Sequence, residues 1–342
     1  MIIINTIFMI VFHFIVPYLI TTLLCIVMVK LLMDYAKNKN TILEINGIVH
    51  VKYDTIPFQD MPFPLLCSID HNNIEMVKLL MGYEEENNII LYINKEEIYT
   101  KTNPLARALK IDNIKIVKLL MNYAKNKNII LDCYNHDSYK YSSLYYLNEN
   151  SIEMMHLFRD YIKENNIDIN INKIHDYPHL FEASKNHPNK IKFMMEYAKD
   201  NDIILDINRE DNENNYPLLN ATISNSTYTV KLLIEYAKEN HIILKVSRKN
   251  IDDNYPLWWA IKNNNMEMVD LLMAYCKDRN IILELNGFKE SKTPILYALS
   301  RNIIEIFELL IKYVKENNIF LKNIVYEYYP LLYAIHENNR YS

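Results

Sequence analysis

The 342-residue chain carries a net charge of -5 and no long basic block, which argues against nucleic acid as its principal partner. Half of its residues are hydrophobic and 23% are charged, a composition that folds. Its 3 Gly (Gly47, Gly82 and Gly287) lie far apart, so no P-loop, Gly-rich dinucleotide loop or nucleophile elbow can be written.

The stretch from Met1 to Val29 contains no Asp, Glu, Lys or Arg. A spanning helix needs about 20 predominantly apolar residues, so the segment is long enough to cross a membrane, and Pro17 is tolerated there. Lys30, Lys37 and Lys39 flank it, which by the positive-inside rule places the remainder in the cytoplasm. A signal peptide fits less well, because the n-region has no Lys or Arg and no small-x-small cleavage site precedes Lys30. Against an anchor, the run passes unbroken into VKLLMDYAKNKN (Val29 to Asn40), which reads as the second half of a repeat. The expected division is a hydrophobic segment at 1–29, a possible transmembrane anchor, followed by a repeat array at 30–342. The localisation is then cytoplasmic, or membrane-anchored with the repeats facing the cytoplasm.

From there the chain is periodic. Pro64, Pro104, Pro178, Pro217, Pro256, Pro294 and Pro330 mark repeat starts, with Ser142 in the fourth, at a mean spacing of 38. Thirteen residues on stands an apolar residue (Val77, Val117, Met155, Ile191, Val230, Val269, Phe307), and nineteen on a Tyr (Tyr83, Tyr123, Tyr161, Tyr197, Tyr236, Tyr275, Tyr313). Such periodicity is the mark of a stacked array. Pro at the first helical position sacrifices no needed N–H, so each opens a short helix. Small residues four places on (Ser68, Ala108, Ala221, Ala260, Ala298) let neighbouring helices approach closely. Eight places on stands Asn (Asn72, Asn150, Asn186, Asn225, Asn264, Asn302, Asn338; Asp112 in one repeat), suited to the left-handed conformation that ends a helix. A longer amphipathic helix follows, then an Ile-Ile-Leu run too short for a helix and read as extended (Ile89-Ile90-Leu91, Ile203-Ile204-Leu205), then a polar connector.

Pro104-Leu105, Ala108 and Val117-Lys118-Leu119-Leu120 together resemble the ankyrin repeat, as do Pro217-Leu218, Ala221 and Val230-Lys231-Leu232-Leu233. The resemblance runs from about Asn46 to Asn339 and implies an all-α, ankyrin-like helix-pair solenoid with short extended connectors. The period exceeds the family's, and Tyr (Tyr216, Tyr255) replaces the Thr before Pro, so the capping hydroxyl is lost. The family implies non-catalytic protein binding, with residues before the Pro and six or seven after it facing a concave groove. Here these are Asp70, His71, Lys110, Ser184, Lys185, Asp252, Asn254, Lys262, Asn263, Ser300 and Arg301. Trp258 and Trp259, the only tryptophans, are side by side on a short helix, so one is expected in the core and the other as an exposed anchor.

Other features read as structural. The four cysteines are too scattered for a metal or redox pair and are expected as reduced thiols. His175 and His179 are four apart, but Pro178 interrupts the helix needed to align them and no third ligand is near. The sequons at Asn220 and Asn225 arise readily in an Asn-rich chain. The strict recurrence of the Tyr follows the packing period and points to intercalation between helices. No triad, paired-carboxylate or metal motif stands out, so no enzyme, cofactor or metal is expected. The chain is read as a monomeric scaffold for an unidentified protein, with a possible membrane contact through residues 1–29. A membrane-localisation adaptor or an orphan repeat protein without a specific partner is the alternative.

Overall fold

The computed structural model describes residues 22–47, 49–51, 59–61, 63–133, 143–169, 171–172, 180, 184–185, 187–285 and 294–319. The chain divides into two compact units, Met1–Asp176 and Tyr177–Ser342. In the first, α1 (Thr22–Asn38) precedes a two-stranded antiparallel hairpin, β1 (Val49–Val51) with β2 (Gln59–Met61), in which Val49 lies opposite Met61. Two helix pairs follow, α2 (Pro64–Asp70) with α3 (Ile74–Asn87) and α4 (Pro104–Lys110) with α5 (Ile114–Asn126). A 3-10 turn (Ser143–Tyr146) and α6 (Ile152–Glu164) complete it. The second unit holds α7 (Pro188–Asp200) and the pairs α8 (Pro217–Ile223) with α9 (Thr227–Glu239), α10 (Pro256–Lys262) with α11 (Met266–Asp278), and α12 (Pro294–Ser300) with α13 (Ile304–Glu316). The expected all-α helix-pair stack is therefore present, with one small hairpin that the periodicity did not announce. The fourth repeat, which has Ser142 in place of Pro, forms its first helix only as the 3-10 turn.

Within each unit the short helices pack on one another and the long helices do likewise, giving two layers. Each described starting Pro is the first residue of a seven-residue helix, as expected for a residue whose missing N–H is not needed there. Asn ends these helices in the left-handed region: Asn72, Asn225, Asn264 and Asn302 have φ of 53°, 55°, 51° and 55°, and Asp112 has 55°. Asn150, which follows the 3-10 turn rather than a helix, is not left-handed, and Asn186 and Asn338 lie outside the described residues. A second set, including Asn88, Asn128 and Asn280, does the same after the long helices. Asn also caps the long helices, as where Asn73 and Asn265 accept from the backbone N–H of Met76 and Met268. In this Gly-poor chain one residue type thus ends and restarts helices, because its short amide tolerates positive φ and also serves as a backbone acceptor.

The Ile-Ile-Leu runs are neither helical nor paired as strands. Their residues alternate, so Ile90 and Tyr92 are more than half exposed while Leu91 and Ile93 are buried. The buried Leu N–H finds its acceptor in the next repeat. Leu43, Leu91, Leu205, Leu244 and Leu283 donate to the hydroxyls of Tyr83, Tyr123, Tyr236, Tyr275 and Tyr313 at 2.9, 2.9, 2.9, 2.9 and 3.1 Å. Leu131 donates to Tyr161 in the same way at 2.9 Å. The Tyr series is therefore intercalated core, as expected, and each of these six hydroxyls also ties two repeats together by a hydrogen bond. A parallel tie comes from connector asparagines. Asn46 Nδ2 donates to Ile90 O and its Oδ1 accepts from Tyr92 N–H; Asn94 and Asn208 repeat this with Ile130/Asp132 and Ile243/Lys245.

Helix α1 crosses position 29, so Thr22–Val29 forms one helix with Lys30–Asn38. Cys25, Val29, Met33 and Ala36 are its buried face, and it packs on α3 as a long helix of the array would. Among the described residues no helix is long and apolar enough to cross a membrane. The remainder of the expected anchor, residues 1–21, lies outside the described residues, as do His175, His179 and the last repeat start at Pro330.

Candidate functional site

Residues three, six and seven after the starting Pro form one row along each short helix. At the third place Cys67 and Asn220 are buried while Arg107, Trp259 and Tyr297 are partly exposed, and the sixth and seventh places reach solvent. In the first unit this row holds Cys67, Asp70 and His71 on α2, and Arg107, Lys110 and Ile111 on α4. Arg107 is its hub. Its guanidinium pairs with Asp70 Oδ1 at 3.2 Å and Glu97 Oε2 at 3.8 Å, and donates to Thr102 Oγ1 at 2.7 Å and Thr100 Oγ1 at 3.1 Å. Of the expected groove residues, Asp70 is thus consumed by Arg107. His71 Nδ1 lies 2.8 Å from Cys67 O at the helix end, and Lys110 lies over the Tyr146 ring at 5.7 Å. Arg107 was not expected from the sequence, since it sits at the third place after Pro rather than the sixth or seventh.

In the second unit the row reads Asn220, Ile223 and Ser224 on α8, Trp259, Lys262 and Asn263 on α10, and Tyr297, Ser300 and Arg301 on α12. Lys262 Nζ stands 4.0 Å from the centre of the Trp259 ring, and Arg301 Cζ stands 5.6 Å from that of Tyr297. Asn263 Nδ2 donates to Thr222 O at 2.9 Å and ties α10 to α8, while Ser300 Oγ donates to Tyr297 O. Trp258 is 5% exposed and meets Tyr297 edge-on at 4.8 Å, so it is the core member of the pair and presents no side chain to a partner. Ser184 is fully buried and presents no side chain to a partner, whereas Lys185 is exposed. Asp252 and Asn254 belong to a tip organised by Asn250, whose Oδ1 accepts from both of their backbone N–H groups. The residues Tyr216 and Tyr255 before the Pro give no side-chain cap and are buried; the Tyr216 hydroxyl donates to Arg248 O at 2.7 Å.

Furrows also run between the long helices. One of about 560 Å³ between α7 and α9 is lined by Lys192, Glu196, Lys199, Glu235 and Glu239, so its charges are mixed. Another, of about 620 Å³ between α3 and α5, holds Glu84 where other repeats have Ala124, Ala198 or Ala237 after the Tyr. Glu84 is buried, but Lys127 Nζ already pairs with it at 2.8 Å. Among the described residues no group of three or more His, Cys, Asp or Glu is placed to hold a metal ion.

Electrostatics at the connector tips differ between the units. The Glu210 carboxyl is held below the usual 4.5 by its hydrogen bond from Lys245, against the opposing effect of burial and with help from Arg248. Glu97 is also held low: burial pushes it up, but the Thr100 hydroxyl, the Thr100 and Tyr99 N–H groups and Arg107 outweigh burial. Asp70 is pushed up by burial, against the pull of Arg107, His71 and Lys110. A carboxyl with a depressed folded pKa stabilises fully above the unfolded value and loses that contribution as pH falls through the folded value. A raised one has the opposite slope. Stability therefore falls below pH 4.5 through Glu210 in the second unit, while Asp70 and Glu97 act with opposite sign in the first. Urea midpoints across this range should show the fall, and Lys245→Met should flatten it; an unchanged slope in that variant removes Glu210 from the account.

Residues 180–280 and 240–323 match the family model described as Ankyrin repeats, in 3 copies. No curated protein matches the sequence. Among solved structures, the crystal structure of the ankyrin repeat domain of Bcl-3, described as a unique member of the IkappaB protein family, aligns with a TM-score of 0.39. The alignment has 16% identity and covers 82% of this chain and 100% of that one.

Proposed function

We propose that this chain, whose residues 180–323 match the ankyrin repeat family model, is a non-catalytic scaffold that binds another protein through the short-helix face of its second unit. The observation that carries this is the division of labour among side chains. The Pro, Ala, Asn and Tyr of each repeat are consumed by helix starts, close packing and ties between repeats. Trp259, Lys262 and Arg301 are not part of that frame. They differ from repeat to repeat, and the two cations are exposed. Aromatic and Arg side chains at such positions are those that interfaces favour. The four cysteines, all buried and free, support a reducing compartment.

The reading is tested by affinity capture from the native cell, comparing the wild-type chain with Lys262→Glu combined with Arg301→Glu. Both residues are exposed, so the double variant should fold, which a thermal melt checks. At least one protein captured by the wild type should be lost. Identical captured sets would move the binding surface away from this face. Any truncation that asks whether the apolar N-terminus localises the chain should stop at residue 21, since Thr22–Val29 belongs to α1.

A further inference from the structure

We infer that the partner segment seated on the second unit's short-helix face is an acidic peptide, with carboxylates at Lys262 and Arg301 and acceptors for the N–H groups of Trp259 and Asn220. This rests on the protein-binding reading above and adds the chemistry of the partner.

Charge comes first. The row formed by the third, sixth and seventh places on α8, α10 and α12 contains no Asp or Glu, and its only formal charges are Lys262 and Arg301. Other cations of this unit are matched by acids: Lys231 with Glu267, Lys238 with Asp278 at 3.1 Å, and Lys245 and Arg248 with Glu210 at 2.7 and 3.2 Å. Lys262 and Arg301 have no ion pair among the described residues, and each is held over an aromatic ring instead. A cation over a ring keeps its charge available and has less freedom to lose on binding. The same row in the first unit behaves oppositely, since Arg107 there is neutralised by Asp70 and Glu97.

Hydrogen bonding points the same way. Asn220 Nδ2 and Trp259 Nε1 are buried donors with no acceptor, at the same place on adjacent helices. Buried polar groups are nearly always paired, so two orphan donors in one row call for an acceptor from outside. A polypeptide with Asp or Glu supplies both needs, its carboxylates for the cations and its carbonyls for the amide and indole. A nucleic acid fits less well, because a phosphate track asks for a row of cations where this face has two, on a chain of net charge -5.

The experiment titrates the full chain by calorimetry with a short peptide rich in Glu and Asp, its Gln/Asn counterpart, and a single-stranded DNA of equal charge. The acidic peptide should bind at least about tenfold more tightly than the amide peptide and should weaken with added salt. Lys262→Glu with Arg301→Glu should abolish the preference. Trp259→Phe, which keeps a ring beneath Lys262 but removes the N–H, should weaken binding severalfold, with a thermal melt confirming the fold. Equal affinity for the acidic and amide peptides, tighter binding of DNA, or a preference that survives the double reversal would each overturn the inference. If no peptide binds while the double variant still loses its captured cellular partner, the acidic chemistry fails and the face stands. If the partner is retained as well, the face itself fails.

Discussion

Replacing Tyr236 by Phe lowers stability by about 1–3 kcal/mol, because the buried N–H of Leu205 is left without an acceptor. The ring stays, so packing between α7 and α9 is preserved and the loss reports the single bond of 2.9 Å from the preceding connector. Tyr236→Ala also empties the ring's site and should cost about 3–5 kcal/mol. Tyr35 supplies the internal control: it stands six residues after Val29, as Tyr236 does after Val230, but it is half exposed. Tyr35→Phe should therefore stay within about 0.5 kcal/mol of the wild type. Urea unfolding of the three variants decides the matter. Equal effects at Tyr236 and Tyr35 would mean that the hydroxyl ladder contributes nothing and that only the rings matter.

Removal of the Arg107 side chain should destabilise the first unit by about 2–3 kcal/mol, below the range for a fully buried pair because some solvent reaches the cluster. Arg107→Ala strips Glu97, 8% exposed, and the Thr100 and Thr102 hydroxyls of a shared donor, and leaves Asp70 without its partner. Lys at this position should not restore the loss, since an ammonium cannot reproduce the planar fork that meets several acceptors at once. The comparison variant is Lys118→Ala, whose pair with Glu153 has side chains 49% and 72% exposed. That change should cost less than about 1 kcal/mol. If urea midpoints place the two variants together, the cluster around Arg107 is only surface charge.

The two kinds of residue examined by these variants were not equally legible. The Tyr series was visible at once, since an aromatic nineteen places after each Pro cannot be missed. Its hydroxyl role was not, because the donor is a main-chain N–H some 30 residues earlier and leaves no mark on side-chain spacing. Arg107 was passed over for a related reason. Family geometry directs attention to the sixth and seventh places after Pro, and what makes the third place matter is the approach of Glu97 and Thr102 from the connector. The Trp pair was read as one buried and one exposed residue, and the structure assigns Trp258 to the first role and leaves Trp259 partly exposed beneath Lys262.

Local chemistry alone determined the repeat boundaries, the helix starts at Pro, the left-handed ends at Asn and the apolar register of the long helices. Each of these is a property of one residue acting on its own backbone. Tertiary structure decided three further things: that Thr22–Val29 folds into the first long helix, that the fourth repeat opens with a 3-10 turn, and which exposed charges remain unmatched. These depend on what a neighbouring repeat brings within a few ångströms. Lys262 and Lys231 are both lysines of the second unit, and only the fold sets Glu267 beside Lys231 and the Trp259 ring beneath Lys262.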